Sequence, residues 1–442
     1  MVKITINGQT LEAPVDSTIL TAASNAGIHI PTLCAFKGEG KDALCRMCVV
    51  EIEGMPKLMP SCITKVKDGM VVSTDSERVR ASRLRTLDLI CSRHRMDCET
   101  CTRYSNCELH ALVREHGLDD RKYMRHEVPK SEDTSSASIV RDTSKCVLCR
   151  RCVNACRKQG IDNISVLNRG AGTRITPPIP LGQTGCIGCG QCLAACPTGA
   201  LRVKDGAQPV WNAIRNHDKT VIAIVAPHVA ENVGRHLHGE TGAAGKLTAL
   251  LHRMGFDTVL ASEYHGIGQG YAQGESFRNG LPAISSACPA AAHWVREHRP
   301  DLAGNLVTSP LCNGALAAAY RKAHPEKDVF AVEISLCTAG KLTPDNALDA
   351  QITAAELEEM IHRACLSRFT MLEVWRTLPE ETFDEAPATE KAVSVPENVR
   401  RVEGMAEIKK ILEALEKGSA QHDALELWAC PGGCAGGGGL IK

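Results

Sequence analysis

A chain of 442 residues with 51 Lys and Arg against 51 Asp and Glu carries no net charge, so bulk electrostatics makes no case for a nucleic-acid or membrane-surface partner. Apolar runs such as VIAIVA at 221–226 are far too short for a membrane span. The 22 cysteines do not fit a short secreted disulfide scaffold, since the chain is long and MVKITINGQT has no secretory apolar region; the cytoplasm is expected, with zinc or iron–sulfur clusters using the thiols.

Residues 1–75 read as short strands around one helix. KITIN and TLEAPV flank Asn7-Gly8, a two-residue hairpin signal, and Asp16 and Ser17 stand where a helix running to about Asn25 needs its cap. Cys34, Cys45, Cys48 and Cys62 follow. Four thiolates on a loop suit a [2Fe–2S] cluster, because soft ligands match iron–sulfide chemistry. The gaps are wider than the plant-type spacing, yet the segment resembles the β-grasp ferredoxins. Structural zinc is the alternative use.

Residues 76–130 look mainly helical and carry His94, Cys98, Cys101 and Cys107 as H-x3-C-x2-C-x5-C. Three cysteines and one histidine also bind zinc, but a place between two other cluster motifs points to a His-ligated [4Fe–4S] cluster. Imidazole in place of a thiolate removes a negative charge and favours the reduced state. Residues 131–138, SEDTSSAS, are polar enough for a linker or surface loop.

The strongest pattern lies in 139–206. CVLCRRCVNAC (Cys146, Cys149, Cys152, Cys156) and CIGCGQCLAACP (Cys186, Cys189, Cys192, Cys196) both read C-x2-C-x2-C-x3-C. In two-cluster ferredoxins the fourth cysteine of each run serves the other cluster. The expected sets are therefore Cys146, Cys149 and Cys152 with Cys196, and Cys186, Cys189 and Cys192 with Cys156. Pro197 follows the second run as that pattern expects, whereas Arg157 follows the first.

From about residue 210 strand-like runs (VIAIVAP, DTVLAS, DVFAVEIS) alternate with helical ones (TAAELEEMIHRAC, AEIKKILEALEKG), an α/β organisation. Thr353 and Glu356 are placed for a capping box. GIGQGYAQG at 266–274 has Tyr271 where a dinucleotide fingerprint needs glycine, and GAAGKL at 242–247 fails the P-loop spacing; both read as turns. With no flavin or nucleotide motif, two-electron chemistry on NAD(P)H belongs to a partner.

This order of motifs resembles the catalytic subunit of [FeFe]-hydrogenases, and its N-terminal part also resembles the large iron–sulfur subunit of complex I. In the hydrogenase family a [4Fe–4S] cube, joined through one cysteine to a diiron unit, is held by cysteines in three signatures. T-S-C-C-P is here Ser285-Ser286-Ala287-Cys288-Pro289, and M-P-C-x-x-K is Ser335-Leu336-Cys337-Thr338-Ala339-Gly340. E-x-M-A-C-x-x-G-C is Glu426-Leu427-Trp428-Ala429-Cys430-Pro431-Gly432-Gly433-Cys434. The resemblance thus implies Cys288, Cys337, Cys430 and Cys434 as cube ligands.

The diiron surroundings have changed. Ala287 stands for a proton-relaying cysteine, Gly340 for a lysine that pairs with an iron-bound cyanide, and Ser335 and Trp428 for two methionines. Leu311, in SPLCNG, stands for a glutamine. Lys341 could replace the lysine only on a shifted backbone. The 92 residues between Cys337 and Cys430, and the eight after Cys434, are fewer than the family has, so segments closing over the diiron unit are expected to be missing. Cys91, Cys312 and Cys365 fall outside the ligand sets and read as buried thiols.

The resemblance implies a multidomain α+β and α/β protein. A β-grasp [2Fe–2S] domain is expected at 1–75, a small helical His/Cys cluster domain at 76–130, a two-cluster [4Fe–4S] ferredoxin domain at 139–206, and a truncated hydrogenase-like α/β domain at 210–442. The implied cofactors are one [2Fe–2S] and four [4Fe–4S] clusters without a diiron subcluster. Implied partners are a flavoprotein NAD(P)H-oxidoreductase subunit, a small [2Fe–2S] subunit, and a second redox enzyme or ferredoxin, in a complex of the kind that bifurcates electrons. Two alternatives stay open: an active or H2-sensing hydrogenase, and a structural or assembly subunit with a metal-free C-terminal domain.

Overall fold

The computed structural model describes the whole chain except residues 37–41, 120–127, 227, 240, 263–280, 308–311, 344, 366–367, 387–398, 419–421, 423 and 441–442. Asn7 and Gly8 both have positive φ, 51° and 82°, and the strands Val2–Ile6 and Gln9–Ala13 pair antiparallel across them. Val2–Ile6 also pairs parallel with Met70–Ser73, and Val49–Ile52 and Met59–Pro60 complete a five-stranded mixed sheet. Ile4, Ile6, Val50 and Val72 pack on Ile19, Ala22 and Ala23 of helix Ile19–Asn25. The cap is Thr18 rather than Asp16 or Ser17. The Val66 amide donates to the Ser17 carbonyl and the Ile19 amide to the Thr64 carbonyl, so the adjoining segment sets where the first turn begins.

Helix Glu77–Cys91, capped by Ser76, turns Val79, Leu87 and Cys91 inward. Arg83 on the same face is buried as well. Its guanidinium donates to the Met47 and Val49 carbonyls at 2.9 and 3.0 Å, which binds the helix to the loop carrying Cys45 and Cys48. Arg151 joins three segments: it makes a two-pronged ion pair with Glu108 at 2.7 and 2.8 Å and lies 5.4 Å from the centre of the Phe36 ring.

The duplicated cysteine motif is a duplicated backbone. Leu148 and Arg150 flank Cys149 with φ of 56° and 61°, and Gly188 and Gly190 flank Cys189 with 64° and 69°. Each loop feeds a short helix, Arg151–Lys158 or Gln191–Ala195. Residues 131–138 are not a free linker. Glu132–Asp133 pairs with the strand Ile139–Asp142, and Ser136 and Ser138 are buried.

Beyond residue 206 the described strands form two four-stranded parallel sheets. One runs Thr258–Ala261, Thr220–Val225, Val329–Ser335, Ala350–Thr353; the other runs Leu306–Val307, Ala283–Ser285, Ala424–Trp428, Val399–Glu403. Strands covered on both faces read as continuous apolar runs, which is why VIAIVA stands out in the sequence. The capping box forms: the Glu356 amide donates to Thr353 Oγ1 and the Glu356 carboxylate accepts from the Thr353 amide. In open α/β sheets ligands gather beyond the carboxyl ends of the strands. Cys288, Cys337 and Cys430 lie there, just past Ala283–Ser285, Val329–Ser335 and Ala424–Trp428. Among the described residues no helix is long and apolar enough to cross a membrane.

Candidate metal centres

Cys48 and Cys62 belong to the core of the five-stranded sheet, Cys45 packs against the cluster that holds Leu87 and Cys91 of helix Glu77–Cys91, and Cys34 is buried and hydrogen-bonded to Cys45. The four form two hydrogen-bonded pairs. The bond from Cys45 draws the Cys34 thiol down to about 6 against the effect of burial, and the bond from Cys62 draws Cys48 down to about 7. Cys45 and Cys62 are pushed up, first by holding the shared proton and then by burial.

His94, Cys98, Cys101 and Cys107 line one small pocket together with Asp97 and His110. His94 is buried and its Nδ1 has no hydrogen-bond partner. Burial, then the Lys145 charge, pulls its pKa down to about 4. A neutral, buried imidazole with an unoccupied nitrogen fits the donor set of a metal cluster.

Cys146, Cys149 and Cys152 share a pocket with Cys196, not Cys156. Burial, followed by the Cys196 charge, pushes Cys149 up to about 12. Cys156 instead acts electrostatically on Cys186, Cys189 and Cys192. Cys196 thus stands with the first run, and Cys156 lies within electrostatic reach of the second. Helix Arg151–Lys158 carries Cys156 away from its own loop and toward the second one.

Cys288, Cys337, Cys430 and Cys434 line a cavity of about 50 Å³, joined by Cys189 of the second ferredoxin-like loop. Burial pushes the Cys288, Cys337 and Cys430 thiols up. Such thiols ionise only beside a compensating cation, which a metal cluster supplies. The Ala429 amide approaches Cys288 Sγ at 3.4 Å. No three His, Cys, Asp or Glu side chains among the described residues converge as ligands of one ion would. The cysteines instead surround pockets, with their walls supplied by several elements.

The rest of that cavity departs from the hydrogenase pattern as the sequence indicated. Ala287, Gly340 and Trp428 line it. Lys341 does not reach in: its ammonium donates to Glu356 at 2.6 Å and to the Lys204 carbonyl at 2.7 Å. Sequence reasoning missed Glu333, which lies in the cavity wall and accepts from Asn313 at 2.8 Å and Gln351 at 2.9 Å. Burial pushes its carboxyl pKa up against the hydrogen bonds of Asn313, Ser335 and Gln351. Its signal was a single acid inside the apolar strand VFAVEIS. Cys91 is buried against Leu87, Met96 and Leu109. Cys312 opens helix Cys312–Ala323 and Cys365 ends Ala354–Cys365, with side chains outside the described ones. Residues 266–274 and Leu311 also lie outside the described residues.

Residues 1–77 match a 2Fe-2S iron-sulfur cluster binding domain, 83–122 the NADH-ubiquinone oxidoreductase-G iron-sulfur binding region, and 145–200 a 4Fe-4S dicluster domain. Residues 219–395 and 370–438 match the C-terminal domain of the iron only hydrogenase large subunit. The NADP-reducing hydrogenase subunit HndD of Solidesulfovibrio fructosivorans is 32% identical over 99% of this chain and 88% of its own length. Iron hydrogenase 1 of Clostridium pasteurianum is 27% identical over 82% of this chain and 68% of its own. The alpha chain of the NADPH-Fe(3+) oxidoreductase of Geobacter sulfurreducens is 34% identical over 56% of this chain but only 29% of its own. The first alignment runs 528 positions, longer than this chain's 442 residues, so that relative carries internal residues without a counterpart here.

Proposed function

The chain belongs to the iron-only hydrogenase large-subunit family, and from that premise we propose that it is an iron–sulfur electron-transfer subunit of an NAD(P)H-linked oxidoreductase complex, without hydrogenase chemistry of its own. Cys34, Cys45, Cys48 and Cys62 would hold a [2Fe–2S] cluster, and His94 with Cys98, Cys101 and Cys107 a [4Fe–4S] cluster. The two interleaved ferredoxin sets would hold two further cubes, and Cys288, Cys337, Cys430 and Cys434 a fourth. Such clusters pass electrons singly, which is why a flavoprotein partner is needed to divide the pair delivered by NAD(P)H.

The observation that carries this reading is the asymmetry of the C-terminal cavity. Four cysteines from three separate strand ends share it, while Ala287, Gly340 and Trp428 stand beside them where the hydrogenase signatures carry a cysteine, a lysine and a methionine. A proton relay needs a titratable group within hydrogen-bonding reach of the reacting atom; at the relay position Ala287 presents a methyl group, and the acid in the cavity wall, Glu333, is held by Asn313 and Gln351. Lys341 is committed to Glu356. The proposed domains are 1–75, 76–130, 139–206 and 210–442. The flavoprotein, a small [2Fe–2S] subunit, and a second redox enzyme or ferredoxin are the proposed partners, in the cytoplasm and in a bifurcating arrangement.

Anaerobic purification from the native host tests the reading. A flavoprotein should co-purify, the chain should contain about 18 iron atoms, and infrared spectra should lack bands of iron-bound CO and cyanide. About 14 iron atoms would point to an empty C-terminal site, and CO or cyanide bands after co-expression with maturation proteins would overturn the assignment.

A further inference from the structure

Between the first cluster loop and the first ferredoxin-like loop lies an open cleft of about 1050 Å³. Arg46, Arg93, Arg150 and Arg174 line it, and among the described residues no aspartate or glutamate does. In a chain with equal numbers of acids and bases, that is a local excess of positive charge. Its rim is apolar: Leu89 is 71% exposed and Leu44 36%. Exposed leucines beside unopposed arginines mark a surface suited to a protein partner, because apolar contact and Arg contribute most at such interfaces.

Three residues in the wall say what kind of partner. Cys45 belongs to the first cysteine set, and Cys146 and Cys149 to the first ferredoxin-like set. We propose that this cleft is the docking site of a small acidic redox protein that exchanges single electrons with the chain. The inference rests on the cluster assignment proposed above and adds the place and charge of the carrier. One electron passes from the reduced carrier into the chain; no bond forms and no proton moves. A nucleotide suits the cleft less well. Among the described residues no aromatic ring lines it to stack a base.

The test is binding, using the cluster-loaded full chain and an oxidised, acidic plant-type [2Fe–2S] ferredoxin in an isothermal titration at low and high salt. The wild-type chain should bind at low salt and lose affinity steeply as salt rises. Arg174→Glu, at the exposed first residue of strand Arg174–Thr176 and distant in sequence from any ligand, should weaken binding about tenfold and flatten the salt dependence. Arg174→Lys should restore most of it. Leu89→Ser, which leaves the charge untouched, should weaken binding without changing the salt slope. Unchanged affinity in Arg174→Glu and Leu89→Ser at full iron content would overturn the proposal, as would competitive displacement of the ferredoxin by NADPH. A low iron count or CO bands in the wild-type chain would instead strike the cluster assignment, so the two failures are distinguishable.

Discussion

Gly190 and Gly438 meet backbone to backbone: a Cβ on Gly438 would lie 2.3 Å from the Gly190 Cα, and one on Gly190 would lie 2.7 Å from the Gly438 Cα. Gly190 follows Cys189 with φ of 69°, and Gly438 follows the last cysteine signature. Two hydrogen bonds clamp the contact, from Thr338 Oγ1 to the Gly188 carbonyl at 2.6 Å and from Gln191 Nε2 to the Gly436 carbonyl at 2.7 Å. The glycines therefore set how closely the ferredoxin-like loop approaches the C-terminal cavity. In the first ferredoxin copy the same αL positions carry Leu148 and Arg150.

Gly438→Ala should force these two backbones apart at a cost of about 1–3 kcal/mol. Iron content should stay at the wild-type level while reduction of the C-terminal centre, followed by rapid-freeze EPR, lags behind that of its neighbour. Gly304→Ala, where an added Cβ meets nothing within 4 Å, is the control. Wild-type kinetics and denaturation midpoint in Gly438→Ala would show that the contact sets neither property.

The Glu356 carboxylate accepts from Lys341, the Gly206 amide, the Thr353 amide and the Thr353 hydroxyl. Both ends of the Lys341–Glu356 pair are buried, with side-chain exposures of 9% and 7%. Glu356→Ala should cost about 3–5 kcal/mol, because it leaves an ammonium buried without its counter-charge. A double change of Glu356→Leu with Lys341→Met should recover part of that loss. Urea unfolding of the three proteins measures the difference, and equal midpoints would refute a structural role for the pair.

How much of this was legible beforehand depended on how local the chemistry is. Cysteine spacing is a property of one loop, so the grouping of Cys146, Cys149 and Cys152 could be read from it. The C-terminal cysteines, drawn from three strand ends, were reached only through the family resemblance, and the presence of Cys189 beside them was not foreseen. The capping register was not local: Asp16, Ser17 and Thr18 can all cap, and the contacts of Thr64 and Val66 choose among them. SEDTSSAS read as a linker because hydroxyls usually face water. Here Ser136 Oγ accepts from the Ser138 and Ile139 amides, and Lys204 donates to the Thr134 and Ser136 carbonyls, which satisfies the buried groups. Glu333 was hidden for the same reason. Its partners Asn313 and Gln351 come from other elements, and only the packed sheet brings them together.

His94 is neutral at physiological pH and supplies no negative charge to its pocket. Exchanging it for a thiolate, His94→Cys, should lower that centre's reduction potential by on the order of 100 mV. An EPR-monitored redox titration on the full chain would show one wave moving while the others stay. His94→Ala should lose the centre's iron altogether. If neither substitution alters the iron count or any wave, His94 is not a ligand.

His252, on helix Ala244–Met254, holds down the segment 379–386. Its Nδ1 lies 2.9 Å from Glu381 and its Nε2 3.1 Å from Asp384, whose carboxylate also accepts from the Val259 amide. Both ring nitrogens donate only in the imidazolium. Burial opposes the charge, but the bonds to Glu381 and Asp384, with their charges, outweigh it and raise the pKa above the ordinary 6.5. A raised folded-state pKa means the contribution to stability is fully present below the unfolded value and lost as pH climbs through the folded one. Hydrogen exchange at Glu381 and Asp384, corrected for the intrinsic base-catalysed rate, should therefore show protection falling as pH rises above 6.5. His252→Ala should have low protection at every pH, whereas His252→Lys, cationic across the window, should lose the pH dependence while keeping part of the protection. A wild-type profile that stays flat through this range would mean that the ring holds the segment without its proton.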